Sequence, residues 1–564
     1  MRNVFLRIAP NLLAILELLL VVVVCLLVFL RSRRAVRGAS HTFQTIEQAF
    51  GRLARRRHLA ILVVGAGVIL LRLALLPLLG VPEPRWHDEY SFLLAADTFA
   101  HGRITNPTHP MWAHFESFHI IWHPTYMSMY PPGQGLILAA GQLLGHPWIG
   151  QLIATGGMCA AICWMLQAWV PPGWAFFGAV LVALRIGLLS YWMNSYFCGS
   201  LAALGGALVL GAFPRLERRA NLGNAVAMGL GAAVLANTRP YEGFVFCLPI
   251  AIALILWLFT QRRIAVPIVV GRVVIPLFLL FGIFGLTTAH YFKKVTGNAF
   301  TMPYQVNRTT YAVAPYFVWQ KARQEPVYRY DVMRRFYTGF EIQDYELGRT
   351  PLGLLERLLR KVPQPWLLYC GPIFTVPLLA FPCILRDRRM RFPLIVGAAV
   401  IVGIVLEVWT SAHYIAPATC LFFLVLVQCM RHLRQWRWKD QPVGAALVRA
   451  VPMLCVAMIL LRLSAVATGT RIEPAWPRGN LERAAMLKQL RALPGTHLVI
   501  VRYAPDHGPN EEWVYNRADI DSAKVVWARD MGEQNQELLD YFRDRHVWVV
   551  YPDAAKPELQ PLAN

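Results

Sequence analysis

Long apolar runs of roughly 15 to 24 residues recur along most of the chain and alternate with short polar segments. A helix of about 20 apolar residues crosses a bilayer with every backbone polar group bonded internally, so each run predicts a membrane-spanning helix. The runs occupy residues 11–30, 59–80, 147–170, 174–192, 199–213, 222–237, 243–260, 272–292, 366–385, 392–410, 413–430 and 446–467. The pattern therefore predicts an all-α polytopic membrane bundle of about 12 transmembrane helices.

The runs also divide the chain into parts. Residues 1–58 are predicted to form a membrane anchor followed by a basic cytoplasmic loop, because the first run lacks a small-residue cleavage pattern and precedes an arginine cluster. Residues 59–468 then form the main transmembrane domain, interrupted by two long loops at 81–146 and 293–365. The apolar segment Gly133–Leu144 is too short to cross and is expected to lie at the surface.

Composition and charge agree with this reading. Hydrophobic residues make up 56% of the chain, charged residues 15%, and the mean hydropathy is +0.43, which excludes an ordinary soluble protein. The net charge of +23 comes mainly from Lys and Arg in alternate loops, the distribution typical of cytoplasmic loops. The charge thus predicts orientation in the cell (inner/plasma) membrane rather than binding to nucleic acid, and it places both long loops and the tail outside the cytoplasm.

The tail, residues 469–564, has a different pattern. The segments "THLVIVRY", "KVVWARD" and "HVWVVYP" are typical of buried strands, whereas "NLERAAMLKQLRAL" and "GEQNQELLDYFRDR" have helical periodicity. Strands alternating with helices predict a small, separate extracytoplasmic α/β domain with parallel pairing.

Two adjacent acids, Asp88 and Glu89, follow the second apolar run in the segment "HDEYSFLLAADTFAHGR". Asp88 as N-cap with Glu89 in the first turn would explain both residues as a helix start. Their position at the outer mouth of a span, in a loop rich in His and aromatic residues, also fits a catalytic base. The two roles are compatible, because a cap fixes the position of a carboxylate. Glu116 is a second candidate acid, for binding sugar hydroxyls or a cation.

Cofactor signals are weak in this sequence. His119 and His123 are spaced i, i+4, which on a helix would let them share a divalent cation. No Cys or HExxH pattern accompanies them, and Pro124 follows directly, so hydrogen-bonded interfacial histidines remain the alternative. A divalent cation is the one cofactor that the sequence leaves open.

The second long loop, residues 293–365, interleaves Lys and Arg with aromatic residues. Guanidinium groups bind phosphate in a bidentate manner, and aromatic faces suit sugar rings or lipid headgroups. A phosphorylated lipid is therefore one predicted partner, and an aromatic belt in contact with membrane lipids is the alternative.

A family resemblance rests on the order of these motifs. A long apolar span, "HDEYSFLLAADTFAHGR", a loop, "YPPGQGLILAAGQLLGHPWIGQL", many further spans and a soluble tail together resemble the GT-C integral-membrane glycosyltransferases. The likeness is closest to the branch that contains bacterial aminoarabinose transferase and the protein O-mannosyltransferases, and it covers about residues 59–430.

The resemblance implies a GT-C-like fold and a glycosyltransferase. In that family, an acid just outside the first core span is the catalytic or acceptor-binding group, and Asp88 occupies this position with Glu89 beside it. The family's donor is a sugar on a polyprenyl phosphate, which implies such a donor here and transfer at the extracytoplasmic face to a glycan, lipid or protein hydroxyl. The reaction implied is inverting, with Asp88 as base.

The chain departs from the aminoarabinose transferase pattern at two places. Ser91 stands in "DEYSF" where that pattern has an arginine, and Met129-Tyr130 stands where it has Glu-Lys before Pro-Pro. Another cation must therefore stabilise the leaving phosphate, and Tyr130 becomes a candidate substrate contact.

Two residues at the outer mouths of spans are candidates for this phosphate contact. They are Arg239 in "NTRPYEG" and His413 in "SAHYIAP", with Glu242 and Tyr414 as neighbours that would orient them. Lone cations at helix ends also serve as snorkelling anchors, which is the alternative for both.

Two other functions would also fit a basic, polytopic chain. One is a transporter or flippase of lipid-linked glycans, and the other is a non-catalytic scaffold for envelope enzymes. A transporter needs ionisable residues along a path through the membrane, whereas the acids here are concentrated at the outer mouth, which favours an enzyme.

Overall fold

The computed structural model describes residues 12–32, 40–261, 264–470, 472 and 479–562. Within these ranges, nine helices are long and apolar enough to cross a membrane. They are Leu12–Leu30, Arg57–Ala74, Pro147–Trp169, Gly199–Arg218, Pro240–Thr260, Val266–Thr296, Arg388–Leu406, Ala412–Arg434 and Val443–Ala467. The chain is thus a multi-pass helical membrane protein.

Some predicted features lie outside the described residues. They are the first residue of the N-terminal span, the basic residues at 33–39, and residues 471 and 473–478 at the start of the predicted tail domain. The basic loop of the predicted N-terminal part contains a helix, Ser40–Arg55, directly before the second span.

The other three predicted spans are shorter or interrupted. Pro172–Gly187 and Leu222–Ala236 are apolar helices of 10–17 residues. The segment predicted at 366–385 is divided into Trp366–Cys370, Gly371–Leu378 and Phe381–Leu385. Prolines within it remove backbone donors and prevent one continuous helix. The structure thus ends the helix predicted at 174–192 at Gly187 and divides the one predicted at 366–385, whereas the helix predicted at 222–237 has the expected bounds but is short for a membrane span.

Close backbone contact holds the centre of the bundle together. Gly199–Arg218 packs against Pro147–Trp169 and Leu222–Ala236. A Cβ atom added at Gly205 would lie 2.9 Å from the carbonyl oxygen of Gly231, so a larger residue would push the two helices apart. Small residues allow this approach in the membrane, where packing replaces the hydrophobic effect as the driving force.

Two groups of contacts hold charged side chains inside the bundle. Glu17 of the N-terminal helix accepts hydrogen bonds from Arg185, with an Nη1 to Oε2 distance of 3.0 Å, and from the backbone N–H of Ile373 at 3.1 Å. Arg72 donates to Asn194 at 2.8 Å and to the carbonyl of Gly80 at 2.7 Å. These contacts connect helices that are distant in sequence.

The long loops and the tail lie together at one end of the bundle. Their helices are His87–Ala100, Trp112–Phe115, Pro132–Leu143, Pro303–Tyr311, Asp331–Arg335, Glu341–Leu347, Pro351–Arg360, Leu481–Ala492 and Asn535–Tyr541. We call this assembly of residues 81–146, 293–365 and 479–562 the head.

A small sheet forms the body of the tail. Its strands lie in the order Val525–Arg529, His497–Val501, His546–Val550 and Gln560–Pro561. The first three are parallel, with His497 opposite both Val525 and His546, and the last is antiparallel. The α/β fold and the parallel pairing predicted from the strand patterns are confirmed.

The tail shares a hydrophobic core with the first long loop. Tyr90 stacks on Tyr515 with ring centroids 4.3 Å apart, and Leu94, Phe115 and Leu498 belong to the same buried cluster. Asp97 binds Arg517 at 2.6 Å and also accepts the N–H of Ala518 at 2.9 Å. The tail is therefore built into the head, whereas the sequence pattern predicts a separate unit.

Candidate active site

The two adjacent acids have different surroundings. The helix begins at His87, so Trp86 is the N-cap and Asp88 is not. Glu89 supplies the cap instead, because its Oε2 accepts the backbone N–H groups of Arg85 at 2.7 Å and Trp86 at 3.1 Å. Its Oε1 accepts the N–H of Tyr196 at 3.1 Å. Glu89 therefore has a structural role at the start of the helix, and the predicted N-cap role of Asp88 is wrong.

The electrostatics of Glu89 agree with a structural role. The side chain is 2% exposed, and burial raises its pKa to about 7, a shift that Asp88 reinforces and the three backbone donors oppose. With its oxygens occupied by backbone N–H groups, this carboxyl has no free face for a substrate.

Asp88 points instead toward the first long loop. Its Oδ1 accepts a hydrogen bond from the Tyr130 hydroxyl and lies 3.8 Å from Nδ1 of His119. The Tyr130 oxygen and His119 Nδ1 are 3.2 Å apart, which completes a triangle of three polar groups. The Asp88 side chain is 27% exposed, and its Oδ2 accepts no hydrogen bond from any residue in the described ranges.

A short hairpin positions His119. The strands Ile120–Ile121 and Met127–Ser128 pair in antiparallel register, and His119 precedes them with a φ of 60°, which is uncommon for a residue other than glycine. The Ser91 hydroxyl donates to the His119 carbonyl at 2.7 Å. Ser91, which departs from the family pattern, thus holds the backbone beside the site.

The ionisation of the triangle favours a charged Asp88. Burial raises the pKa of Asp88, but the Tyr130 hydroxyl, together with the His119 ring that becomes protonated in the same acid range, outweighs burial and holds the pKa of Asp88 below its usual range. Burial also lowers the pKa of His119 to about 3, so this imidazole is neutral at physiological pH. The pKa of Tyr130 is raised, first by burial and then by Asp88, and the phenol stays protonated as a donor.

A second polar cluster lies beside this triangle, at the mouths of the spans. Arg239 is bonded to Glu242 at 3.2 Å, and its guanidinium lies 4.1 Å from the ring centre of Tyr414. Arg239 Nε is buried and has no hydrogen-bond partner in the described part of the chain. His413 bonds the Tyr191 hydroxyl at 3.1 Å and is close enough to Asp88 to interact electrostatically.

The histidines that could hold a cation differ from the predicted pair. Residues 120–121 form a strand, so His119 and His123 do not share a helical face, and His123 packs on Trp112 instead. His87, Asp88 and His119 each offer a ligand atom within 4.8 Å of the others. Two imidazoles and a carboxylate suit zinc or a similar first-row metal. The hydrogen bond of His87 Nε2 to the Pro509 carbonyl, 2.8 Å long, leaves its Nδ1 as the ligand atom.

Glu116 lies apart from the triangle. It accepts the Tyr311 hydroxyl at 2.8 Å, forms an ion pair with Arg329 at 3.3 Å, and lines a cavity of its own. Of the predicted site residues, the structure therefore brings Asp88 together with Tyr130 and His119, and Arg239 together with Glu242 and Tyr414.

The tail contributes to the site in a way that the sequence does not reveal. Besides the bond from His87 to Pro509, Arg85 is paired with Glu511 at 2.6 Å. Residues 503–521 are polar and aromatic, so the sequence predicts a binding loop there. It does not identify the residues that this loop contacts.

Comparison with protein-family models finds no match, and comparison with curated proteins finds none either. Among solved structures, the Archaeoglobus fulgidus oligosaccharyltransferase tethered with an acceptor peptide is similar, with a TM-score of 0.48 and 11% identity over 87% of this chain and 68% of that one. ArnT from Cupriavidus metallidurans bound to undecaprenyl phosphate has a TM-score of 0.48 and 12% identity, over 87% of this chain and 92% of that one. Because the TM-scores are below 0.5, the roles proposed next rest on the side chains of this chain.

Proposed function

We propose that this protein is an inverting glycosyltransferase that moves a sugar from a polyprenyl phosphate to a hydroxyl acceptor. The observation that carries this proposal is the difference between the two adjacent acids. Both oxygens of Glu89 accept backbone N–H groups, whereas Oδ2 of Asp88 accepts no hydrogen bond from the described residues. An ionised, oriented and partly exposed carboxylate at the mouth of a membrane bundle suits a base for a hydroxyl group. In this proposal the reaction occurs at the extracytoplasmic face of the cell membrane, the side that the loop charges predict for both long loops.

In the proposed step, Asp88 takes the proton of the acceptor hydroxyl as that oxygen attacks the anomeric carbon. The bond between the anomeric carbon and the phosphate oxygen breaks, and the polyprenyl phosphate leaves with the electron pair. Tyr130 donates to Oδ1 of Asp88 and directs Oδ2 toward the acceptor. Neutral His119, protonated at Nδ1, donates to the Tyr130 oxygen 3.2 Å away and so orients that hydroxyl toward Asp88.

Arg239 is the proposed partner of the leaving phosphate. Its buried Nε lacks a partner among the described residues, and donors that await a developing charge stabilise it most effectively in a site with little water. Glu242 and the Tyr414 ring hold the guanidinium in place. His413 interacts electrostatically with both Arg239 and Asp88, and it is the proposed further contact for donor or acceptor.

The paired charges in the bundle disfavour the transporter reading. Glu17 is bonded to Arg185, and Arg72 donates to Asn194 and to the Gly80 carbonyl, so these charged groups are engaged by the protein itself. A path for a polar headgroup would need such groups to be available along it.

The proposal is tested by turnover of purified protein in liposomes with polyprenyl-phosphate sugars and acceptors extracted from cell envelopes. Release of polyprenyl phosphate is the readout. Asp88→Asn should lower the rate by about 100- to 10,000-fold, the usual contribution of a general base. A folded Asp88→Asn protein with the wild-type rate would overturn the mechanism.

A further inference from the structure

The head contains a cavity of about 440 Å³ between its two long loops. Trp112, Glu116 and Trp122 come from the first loop, and Asn307, Tyr311 and Arg329 come from the second. Among the described residues, neither Asp88 nor any other member of the catalytic triangle lines it. This cavity is a place distinct from the proposed reaction centre.

Three buried polar atoms of the lining residues lack hydrogen bonds. They are Oε2 of Glu116, Oδ1 of Asn307 and Nε1 of Trp122, in residues that are 6%, 1% and 3% exposed. The Glu116 oxygen lies 3.3 Å from Arg329 Nε as an ion pair without hydrogen-bond geometry, and no described residue bonds the other two. Buried polar groups are nearly always bonded, so three orphans around one cavity point to a ligand that would satisfy them.

The missing partners define the chemistry of that ligand. Carboxylate and amide oxygens accept hydrogen bonds, so Glu116 and Asn307 call for hydroxyl donors, whereas the indole N–H of Trp122 calls for an oxygen acceptor. Trp112 and Tyr311 add aromatic surface. A compact ring with several hydroxyl groups and an apolar face would bond these polar atoms and pack on the aromatic side chains. A sugar is such a ring.

The charges around the cavity favour an uncharged sugar. Glu116 is already paired with Arg329 at 3.3 Å, so its negative charge is balanced within the protein. The Arg329 guanidinium also lies 4.9 Å from the ring centre of Trp112, which keeps it at the edge of the cavity. A phosphate in the cavity would be repelled by the Glu116 carboxylate, and an ammonium group would be repelled by the Arg329 guanidinium.

The cavity continues toward the tail. Arg329 also borders a second, shallower depression of about 560 Å³, lined by Tyr330 and by Met531, Glu533 and Gln534 of the tail. A ligand longer than one ring would therefore run from the cavity onto the α/β unit.

We propose that this cavity binds a neutral, hydroxylated sugar ring of a glycan acceptor, and that the tail forms the wall along which the next rings lie. The identification of this glycan as the acceptor rests on the proposed function. Binding of the sugar itself does not, because the cavity and its unsatisfied groups are independent of Asp88.

The test is a binding measurement on the full-length protein in nanodiscs. The probes are an array of neutral oligosaccharides of two to four hexose or deoxyhexose units, followed by titration of the best one. Wild type should retain at least one, and Glu116→Gln should weaken its Kd at least 10-fold. Glu325→Gln is the matched control, since Glu325 lies in the same loop, paired with Arg334 and outside the cavity lining, and its Kd should stay at the wild-type value.

A second variant keeps the test informative if Glu116→Gln does not fold. Trp112→Leu removes an aromatic face without touching an unsatisfied polar atom, and it should also weaken binding. Wild type that binds none of the neutral oligosaccharides, or Trp112→Leu and Glu116→Gln that bind as wild type does, would overturn the inference.

The same variants separate this inference from the proposed reaction. Asp88→Asn should bind the oligosaccharide with the wild-type Kd, because it alters turnover only. In the transfer assay, Glu116→Gln should raise the KM for the acceptor at an unchanged KM for the lipid donor. If Asp88→Asn is fully active while sugar binding persists, the mechanism fails and the binding site stands.

Discussion

Asp88 and Glu89 are neighbours in sequence, but their carboxylates face different parts of the protein. Glu89 accepts three backbone N–H groups at the start of its helix, and Asp88 contacts Tyr130 and His119 in the first long loop. The two residues therefore form a natural pair for separating structure from chemistry.

The first prediction compares Asp88→Asn with Glu89→Gln. Asp88→Asn should lower the transfer rate by about 100- to 10,000-fold and leave thermal unfolding almost unchanged, because Asp88 is not a helix cap. Glu89→Gln should lower the free energy of unfolding by about 1–3 kcal/mol, since an amide has one acceptor oxygen where the carboxylate has two. Thermal unfolding in detergent, measured beside turnover, checks both. A stability loss in Asp88→Asn equal to that of Glu89→Gln would contradict this division.

The second prediction concerns pH. The pKa of Asp88 lies below its usual range, so the active base is present throughout neutral pH and is lost only as the pH falls through that lowered value. In Tyr130→Phe, Asp88 loses a donor to its charged form, its pKa rises, and the acid limb of kcat/KM should move up by about one pH unit. Tyr241→Phe, which removes a hydroxyl that donates to the Gly403 carbonyl, is a control that should leave the limb in place. An unshifted limb in Tyr130→Phe would show that Asp88 is not the titrating base.

At the level of helices and strands, hydropathy located the spans well and their ends less well. In the described ranges, each of the twelve apolar runs is helical over most of its length, because length and apolar composition are local properties. The prolines at 372 and 377 were visible in the sequence, but their effect on the run at 366–385 was not anticipated. The tail strands were predicted from short apolar runs typical of buried strands, and their parallel pairing from the alternation of strands and helices along the tail.

The candidate histidine pair shows how a spacing rule fails without a helix. His119 and His123 satisfy i, i+4, but two β-branched isoleucines between them favour a strand, and Pro124 ends the segment. Proximity of His119 to Asp88 comes from the hairpin folding back on the helix, which no local pattern encodes.

The third prediction addresses how the N-terminal helix is attached. Glu17→Leu should leave Arg185 uncompensated within the bundle and destabilise the protein by about 3–5 kcal/mol. The double variant Glu17→Leu, Arg185→Leu removes both charges and should recover most of that loss. Thermal unfolding of the single and double variants gives the answer. A double variant less stable than Glu17→Leu would show that Arg185 stabilises the bundle through its bonds to the carbonyls of Leu367 and Leu368 instead.

For the whole molecule, the main feature that the sequence did not reveal is the docking of the tail. Pro509 contacts His87 and Tyr515 stacks on Tyr90, across more than 400 residues of chain. Such contacts depend on the complete fold, so the tail appeared in the sequence as a separate domain. In the structure, the tail packs against the helix that contains Asp88 and stabilises its position.

The fourth prediction tests that docking. Tyr515→Ala should remove the stack on Tyr90 and weaken the shared core by about 3–5 kcal/mol, the usual loss on truncating a buried aromatic residue. Hydrogen exchange should then increase in both 87–100 and 497–501. Tyr515→Phe keeps the stack and should exchange as the wild type does. Faster exchange confined to the tail would mean that the tail does not support the helix of Asp88.

The most direct measurement of the central claim is native mass spectrometry of purified wild type and Asp88→Asn after incubation with acceptor. If Asp88 is the base, the variant should retain a polyprenyl phosphate that still carries its sugar, while the wild type holds polyprenyl phosphate without it. The mass difference would also identify the class of sugar. A variant that carries the sugar-free lipid in the same proportion as the wild type would contradict the account.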